Sequence, residues 1–246
     1  MDNNNNNQTE IVEIYKKENQ DLKKEIEDLK REIEKMKPVF DKYREQYQKD
    51  LEYQKQIKEL RKPFSNSEII QDIEYIQTLK EWINDNDFFS KMNLGFSAKK
   101  DGFSAQNWHK AVDNKGKTLV IIKTKDNFIF GGFTQVGWQG KKGYISDSNA
   151  FIFSLRNDKG DRNPQKFTIK YGKEQYAIVD DSENGPIFGY SWRDWNLKSN
   201  LQPGYSNFGE SYNLPKGIKY GTDLAQTYLS GSYTSSVVVE LETYFI

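Results

Sequence analysis

The sequence predicts an α+β protein in which a long coiled-coil helix precedes an antiparallel β-sandwich flanked by short helices. Two observations lead to this fold class. Residues 10–62 contain no glycine, and their apolar residues recur at heptad spacing. From residue 118 onward the period changes to two, and short apolar runs are separated by Gly, Asn, Asp and Pro. Heptads are typical of coiled coils, and short strands at this spacing favour a sandwich.

The chain divides into three predicted parts. Residues 1–9 carry a run of asparagines, and we expect a disordered tail because this run has nothing to bury. Residues 10–62 form the coiled coil, and residues 64–246 form the folded domain with a leading helix at about 65–84. Ser65 and Glu68 form a capping box that would begin this helix, and an apolar stripe continues to Ile83.

The heptad pattern predicts which residues would join two helices. The a positions are Val12, Asn19, Ile26, Ile33, Phe40 and Tyr47, and the d positions are Tyr15, Leu22, Leu29, Met36 and Tyr43. Ile at a with Leu at d favours a parallel two-stranded coil. We therefore predict a homodimer through residues 11–36, with the oligomerisation residues Asn19, Leu22, Ile26, Leu29, Ile33 and Met36.

Alternatives remain open within this segment. Asn19 either fixes the register of the coil, as a single polar residue at position a does, or marks its frayed end. Pro38 predicts a kink or break, because proline removes a helical hydrogen bond. The other interpretation of the whole segment is a single charged helix without a partner.

The second half of the chain contains a series of strand candidates. They are residues 118–123, 128–133, 150–155, 166–170, 176–179, 187–190 and 236–245, and the first two form a hairpin across a turn at 124–127. The adjacent Gly131 and Gly132 predict a bulge or the close approach of another backbone. Phe151 and Phe153 should face one buried layer and Ile152 the other. Residues 104–112 predict a short helix.

Composition limits the classes of function. The formal net charge is zero, so no global field attracts nucleic acid or an anionic membrane. The chain has no cysteine, which excludes disulfides, thiolate metal sites and a cysteine nucleophile. No apolar run approaches the roughly 20 residues that span a bilayer, and the N-terminus shows no secretory signal. We expect a cytoplasmic protein, with a nuclear location left open.

Motifs for catalysis and metal binding are weak. The single His109 lies beside Trp108 in an amphipathic stretch, which favours a structural role. The run from Asp180 to Gly185 imitates half of a calcium loop but is more typical of a β-turn. Glu240 and Glu242 share one face of the last strand, which suits either acid–base chemistry or the solvated face of an edge strand. We favour the solvated face and expect no catalytic residue, no metal site and no cofactor.

Seven sequence blocks between about residues 88 and 246 carry a resemblance to a known family. They are D-G-F-S at 101–104 with Trp108 and His109, F-G-G-F at 130–133, D-S-x-x-F-I-F-S-L at 147–155, G-P-I-F-G at 185–189, Y-S-N-F-G at 205–209, G-S at 231–232 and E-L-E-T-Y at 240–244. In this order they resemble the TLDc domain, the module of the oxidation-resistance proteins. Tyr190, Phe208 and Thr243 depart from the family pattern, which has Gly, Leu and Val at these positions.

The resemblance implies a non-catalytic interaction module. Members of this family are associated with protection from oxidative stress, and several bind the cytosolic part of the vacuolar proton pump. We therefore expect an unidentified protein partner, with this pump as one candidate. The alternatives are an enzyme with an unrecognised site, and a DNA-binding or other regulatory protein. Acidic residues alternate with the lysines of the coil, so we do not expect binding to nucleic acid.

Candidate binding residues follow from the aromatic loops. Trp192 and Arg193, with Trp195 and the intervening acid, form a loop that directly follows Tyr190. Exposed Trp and Arg are frequent hot spots of protein interfaces. Trp138, Tyr205 and Phe208 are further candidates, and for each ring taken singly a place in the sandwich core is an equal alternative. Glu240 and Glu242 complete the set of candidate binding residues.

Overall fold

The computed structural model describes residues 3–157, 163–190, 194–204, 206–232 and 236–246, with side chains from Thr9 onward. The chain separates into two compact units, Met1–Ile57 and Lys58–Ile246.

The first unit is helical throughout its described length. Helix α1 runs from Asn3 to Arg61 and contains Pro38. The helix continues through Pro38, so a break there is wrong, and the kink stays a prediction. Pro38 occupies an f position on the outer face, so the carbonyl that loses its donor remains open to water. The predicted disordered tail is also not observed from Asn3 onward, since an existing helix gains one hydrogen bond for each residue added.

The second unit opens with a short 3-10 turn at Lys62–Phe64, which contains Pro63. The following helix, α2, spans Ile73–Ile83. The predicted start at residue 65 is wrong, and the Ser65–Glu68 capping box caps no helix. The cap is instead Asp72, whose side chain accepts a hydrogen bond from the backbone N–H of Glu74. Residues 65–72 are non-helical because the last strand of the sheet holds their backbone, as described below.

The remaining elements are short helices and strands. The helices are α3 (Asn86–Lys91), α4 (Ala98–Asp101), α5 (Ala105–Val112) and α6 (Asp223–Thr227). The strands are β1 (Asn93–Ser97), β2 (Thr118–Thr124), β3 (Ile129–Thr134), β4 (Gly143–Ile145), β5 (Phe151–Arg156), β6 (Gln165–Thr168), β7 (Ile178–Asp180), β8 (Ile187–Phe188), β9 (Trp195–Asn196) and β10 (Val238–Phe245). The predicted helix at 104–112 is confirmed.

These strands form two antiparallel sheets. The larger sheet has the order β1-β10-β2-β3-β5-β6, and the smaller has the order β4-β7-β8-β9. The predicted hairpin between β2 and β3 is confirmed, with Ile121 paired to Gly131. Strands β1, β4 and β9 were not predicted. Strand β10 lies between β1 and β2, so it is not an edge strand.

The larger sheet is covered on both faces. Side chains of one face pack with Leu79 of α2 and Phe88 of α3, and this cluster includes Phe151 and Phe153. Side chains of the other face, including Ile152, pack with Phe188 of the smaller sheet. The predicted alternation along β5 is therefore confirmed, and the architecture is a sandwich with an additional layer of helices.

The two adjacent glycines in β3 allow close packing on both faces. A Cβ on Gly131 would lie 2.0 Å from the carbonyl oxygen of Val120 and 2.7 Å from the ring of Phe153. A Cβ on Gly132 would lie 2.5 Å from the ring of Phe188, which belongs to the smaller sheet. The predicted close approach of another backbone is confirmed at Gly131, whereas the close neighbour of Gly132 is a side chain of the facing sheet.

Candidate functional site

Glu242 lies in the interior of the second unit and does not face solvent. Its side chain is 1% exposed and accepts four hydrogen bonds. One carboxylate oxygen accepts from the Ser67 hydroxyl at 2.6 Å and the Tyr244 hydroxyl at 2.7 Å. The other oxygen accepts from the backbone N–H groups of Glu68, at 2.6 Å, and Ile69, at 3.3 Å. The carboxylate thus fixes the segment between α1 and α2 to the centre of the larger sheet.

Glu240 has a similar environment two residues earlier. It accepts hydrogen bonds from the backbone N–H of Lys99 at 3.2 Å and from the Ser97 hydroxyl at 3.2 Å. Burial raises the pKa of this carboxyl, and the neighbouring Glu242 adds to the increase. The predicted solvated face of an edge strand is wrong for both glutamates. Because β10 is a central strand, its polar side chains must find donors in the elements packed over the sheet.

The single histidine also belongs to a hydrogen-bond network. His109 Nδ1 lies 2.7 Å from a carboxylate oxygen of Asp113 on the same helix. Its Nε2 lies 3.1 Å from the carbonyl oxygen of Asp181 and 2.9 Å from that of Asn184. The ring therefore fastens the turn at 181–184 to α5, and both the predicted structural role and the predicted turn are confirmed.

One group of side chains in the described part of the chain has the composition of a metal site. His109, Asp113 and Asp180 each offer a ligand atom, and these atoms lie within 4.8 Å of one another. The Asp180 carboxylate, however, accepts hydrogen bonds from the backbone N–H groups of Gln139, Gly140 and Lys141 at 3.2, 3.1 and 2.7 Å. Asp180 therefore holds the loop at 139–141, and His109 Nε2, directed at two carbonyls, holds the turn at 181–184.

Two further buried aspartates hold loops in the same way. Asp194 is fully buried and accepts from the backbone N–H groups of Gly209, Ser211 and Tyr212 at 2.8, 2.9 and 3.2 Å. Burial raises the pKa of Asp194 to about 6, against the opposing effect of these three donors. Asp147 accepts from the hydroxyl of Thr134 at 2.8 Å. The described acidic side chains of the interior therefore stabilise the fold.

The smaller sheet carries a cluster of three tyrosines at the surface, which we call the tyrosine cluster: Tyr144, Tyr176 and Tyr190. The ring of Tyr144 lies 5.2 Å from that of Tyr176 and 5.3 Å from that of Tyr190, and the latter two rings are 4.2 Å apart. Tyr144 is 48% exposed and the other two are half-buried. The ammonium of Lys173 lies 5.4 Å from the Tyr190 ring and bonds Glu210 at 3.3 Å. Mutual contact restrains these three rings.

Comparison with known proteins identifies the second unit. The family model of the TLDc domain matches residues 64–240, which is most of the chain. The chain belongs to the TLDc family. Three relatives carry the same name, MTOR-associated protein MEAK7. The one from Gallus gallus is 40% identical over 65 residues, the one from Xenopus laevis 35% and the one from Mus musculus 28% over the same length. Each alignment covers 26% of this chain and 14% of the relative, so the matched stretch is a small part of those proteins.

The candidate binding residues predicted for the TLDc domain are either buried or outside the described residues. Trp192 and Arg193, together with Tyr205, lie outside the described residues. Trp195 is 3% exposed, and its ring stacks on that of Phe188 at 4.8 Å. Trp138 and Phe208 are fully buried. Of the residues singled out in the sequence, Tyr190 alone belongs to the tyrosine cluster.

The sequence analysis did not identify Tyr144 and Tyr176. Tyr144 lies on β4 and Tyr176 immediately before β7, and these two strands pair antiparallel. Tyr190 follows β8, the next strand of the same sheet. The only signal in the sequence was Tyr190 itself, which replaces a glycine of the TLDc pattern. Without the pairing of the smaller sheet, nothing connects the three positions.

The oligomerisation residues predicted for α1 lie in the first unit. Leu22, Ile26, Leu29, Ile33 and Met36 are all exposed, with Ile33 64% exposed. Asn19 donates a hydrogen bond from its amide to the carbonyl oxygen of Tyr15, at 3.0 Å. No helix among the described residues is both long and apolar enough to cross a membrane.

Proposed function

We propose that this chain is a non-catalytic protein-interaction module of the TLDc type, that it binds its partner through the tyrosine cluster, and that α1 makes it a dimer. The observation that carries the proposal is the contact of three tyrosine rings at the surface, with Tyr144 48% exposed. Tyrosine supplies a large contact area with few rotatable bonds, and it is enriched among interface hot spots.

The polar interior supports binding over catalysis. A catalytic carboxylate or imidazole needs access to substrate and a proton to exchange with it. Glu242 and Asp194 have their oxygens engaged by backbone N–H groups, and both are at most 1% exposed. Both ring nitrogens of His109 are engaged as well. These groups are the natural candidates for chemistry, and the fold uses each of them to hold a loop.

Two candidate partners follow from the relatives and the family. The relatives are named as mTOR-associated proteins, so an mTOR-containing assembly is the first candidate. The cytosolic part of the vacuolar proton pump is the second, since TLDc proteins of the oxidation-resistance type bind it. Binding to the pump would link the chain to protection from oxidative stress.

The dimer rests on the apolar side chains at positions a and d of α1, which we call the a/d seam. A single copy leaves the seam in water over many turns, and a helix with an apolar stripe requires a covering partner. Burying the Ile and Leu side chains of the seam would contribute about 1.5–3 kcal/mol for each large side chain. Light scattering on the full chain at micromolar concentration tests this part, and a monomer would contradict it.

A binding experiment tests the role of the tyrosine cluster. The full chain is immobilised and tested against the purified mTOR assembly and against the purified cytosolic part of the proton pump. The variant carrying Tyr144→Ala and Tyr190→Ala should lose capture of the true partner by tenfold or more, because a hot-spot ring contributes about 2 kcal/mol or more. Its melting temperature, measured alongside, should fall only slightly, since Tyr144 is 48% exposed and Tyr190 is half-buried.

A matched control is available on the same domain. Tyr171 is 99% exposed and lies outside the cluster, so Tyr171→Ala should leave capture unchanged. Equal capture by both variants would contradict the proposed role of the cluster. The part assigned to Trp192 and Arg193 stays a prediction, and the variant with both changed to Ala can be measured in the same assay.

A further inference from the structure

The charges beside the a/d seam indicate which partner α1 takes. With Val12 at position a, the residues at position e are Lys16, Lys23, Lys30, Lys37 and Arg44. The residues at position g of the same heptads are Glu18, Glu25, Glu32, Val39 and Gln46. Every e position carries a cation, and the first three g positions carry an anion. Residues at e and g flank the interface of a coiled coil and set the orientation and choice of its partner.

The two orientations of a homodimer place these charges differently. In a parallel, in-register pair, position g of one helix faces position e of the next heptad in the other helix. Glu18 then faces Lys23, Glu25 faces Lys30 and Glu32 faces Lys37, in both directions across the dimer. In an antiparallel pair, g faces g and e faces e, so glutamates oppose glutamates and lysines oppose lysines. Like charges placed opposite each other disfavour that arrangement.

We propose that α1 pairs with a second copy of this chain, parallel and in register, and that the Glu–Lys pattern at g and e selects this partner. The proposal rests on the proposed function in that α1 must dimerise at all. In the single helix, Lys30 bonds Glu27 at 2.9 Å and Lys37 lies 3.7 Å from Glu34, with both glutamates at the outward position b. These exposed pairs are weak and exchange readily for pairs across the dimer.

The register has a second determinant. Asn19 is the one polar residue at position a between Val12 and Phe40. In register, the two copies of Asn19 face each other and can share a hydrogen bond. A shift by one heptad would instead place Asn19 against Ile26, leaving a buried amide without a partner.

Disulfide trapping on the full chain reads the orientation directly. The natural chain has no cysteine, so any disulfide in a variant with one introduced cysteine must join two copies of that position. Tyr15→Cys places a thiol at position d, where the two copies meet in a parallel in-register pair, and mild oxidation should link most of the protein as dimer. Lys17→Cys, at the outward position f, is the control and should remain unlinked.

The possible results distinguish the parallel register from the existence of the dimer. A dimer by light scattering without linkage of Tyr15→Cys would overturn the parallel register and leave the dimer intact, since an antiparallel pair sets position 15 near position 40. A monomer would overturn the proposed dimer together with the pairing. A trimer or tetramer would overturn the two-stranded pairing.

A charge-reversal experiment tests the selectivity. Glu25→Lys with Glu32→Lys sets lysine against lysine, and the dissociation constant of the homodimer should rise roughly tenfold or more. Mixing this variant with one carrying Lys30→Glu and Lys37→Glu should restore pairing as a heterodimer.

The charge-matched control carries Glu13→Lys with Asp21→Lys, both on the outer face, and should change the dissociation constant less than twofold. Equal weakening by the control and the g-position variant would show that net charge alone acts and would overturn the selectivity.

Discussion

Two physical effects on the pKa of Asp194 oppose each other, burial and hydrogen bonding. Asp194 therefore offers the sharpest test of which effect is larger in the interior of the TLDc unit. Burial disfavours the charged carboxylate and raises the pKa to about 6, while hydrogen bonds from three backbone N–H groups favour the charged form. An ordinary aspartate titrates near pH 3.9. The group therefore binds its proton more tightly in the folded chain than in the unfolded chain.

The sign of the pH dependence follows from this difference. Between pH 4 and pH 6 the folded chain holds more protons at Asp194 than the unfolded chain, so this group makes the protein more stable as the pH falls. From pH 7 to pH 5 the gain is on the order of 1 kcal/mol, since the folded group protonates below pH 6 and the unfolded group only below pH 4.

The variant Asp194→Asn removes the titration while keeping the shape of the side chain. Its amide oxygen can still accept from Gly209 and Tyr212, but its amide nitrogen faces the N–H of Ser211. That unpaired donor costs about 1–3 kcal/mol, and the loss of a buried charge offsets part of the cost. The absolute difference at pH 7 is therefore small or of either sign, and the slope with pH is the informative quantity.

Urea unfolding at pH 7 and pH 5, followed by tryptophan fluorescence, measures that slope. All five tryptophans lie beyond residue 58, so the signal reports the TLDc unit. The free energy of unfolding of the wild type, relative to the variant, should increase by on the order of 1 kcal/mol on acidification. Asp126→Asn, in the exposed hairpin turn, is the control and should show no such change. If the difference in free energy of unfolding between wild type and Asp194→Asn stays constant or shrinks at pH 5, the three N–H donors outweigh burial.

Substitutions at three further positions test the packing. Glu242→Ala should lower the free energy of unfolding by about 2–5 kcal/mol, because buried donors lose their acceptor, and Glu242→Gln should lower it less. Phe153→Ala should cost about 3–5 kcal/mol, and an unchanged melting temperature would contradict its place in the core. Gly132→Ala should lower the melting temperature sharply or prevent folding, since the added methyl group would lie 2.5 Å from the Phe188 ring. Wild-type stability of that variant in the same melt would show that the sheets can separate.

Local patterns predicted the elements whose signals lie within a short stretch of chain. The β2–β3 hairpin has apolar runs on either side of a polar turn, and the a/d residues of α1 repeat along one helix. Strand β1 has no such signal, because its residues include Asn and Gly and its partner is β10, with Asn93 paired to Phe245. The pattern within β1 alone gives no information about a partner so distant in sequence.

The wrong expectation for Glu240 and Glu242 has the same cause. Glutamates that alternate along a strand normally face water, so the expectation is reasonable when only the strand is considered. Apart from Leu241 and Tyr244 of the same strand, their donors come from residues 67–69 and 97–99. The bond from Ser67 to Glu242 joins positions 175 residues apart. The tyrosine cluster shows the same limit, since the smaller sheet assembles it from three separate segments. Both features arise from long-range contacts, which no short window of sequence contains.

The two proposals together predict bivalent binding. Each chain carries one TLDc unit after the coil, so a parallel pair has both units following the same end of the two helices. If the partner offers two sites within reach, linkage can raise the apparent affinity by about 10²- to 10⁴-fold without any new contact. The charge-reversed Glu25→Lys, Glu32→Lys chain keeps its tyrosine cluster and pairs more weakly. Below its raised dissociation constant it should therefore bind with the weaker one-to-one affinity. The Tyr144→Ala, Tyr190→Ala chain should remain a dimer and bind weakly, which separates the contribution of the coil from that of the contact surface.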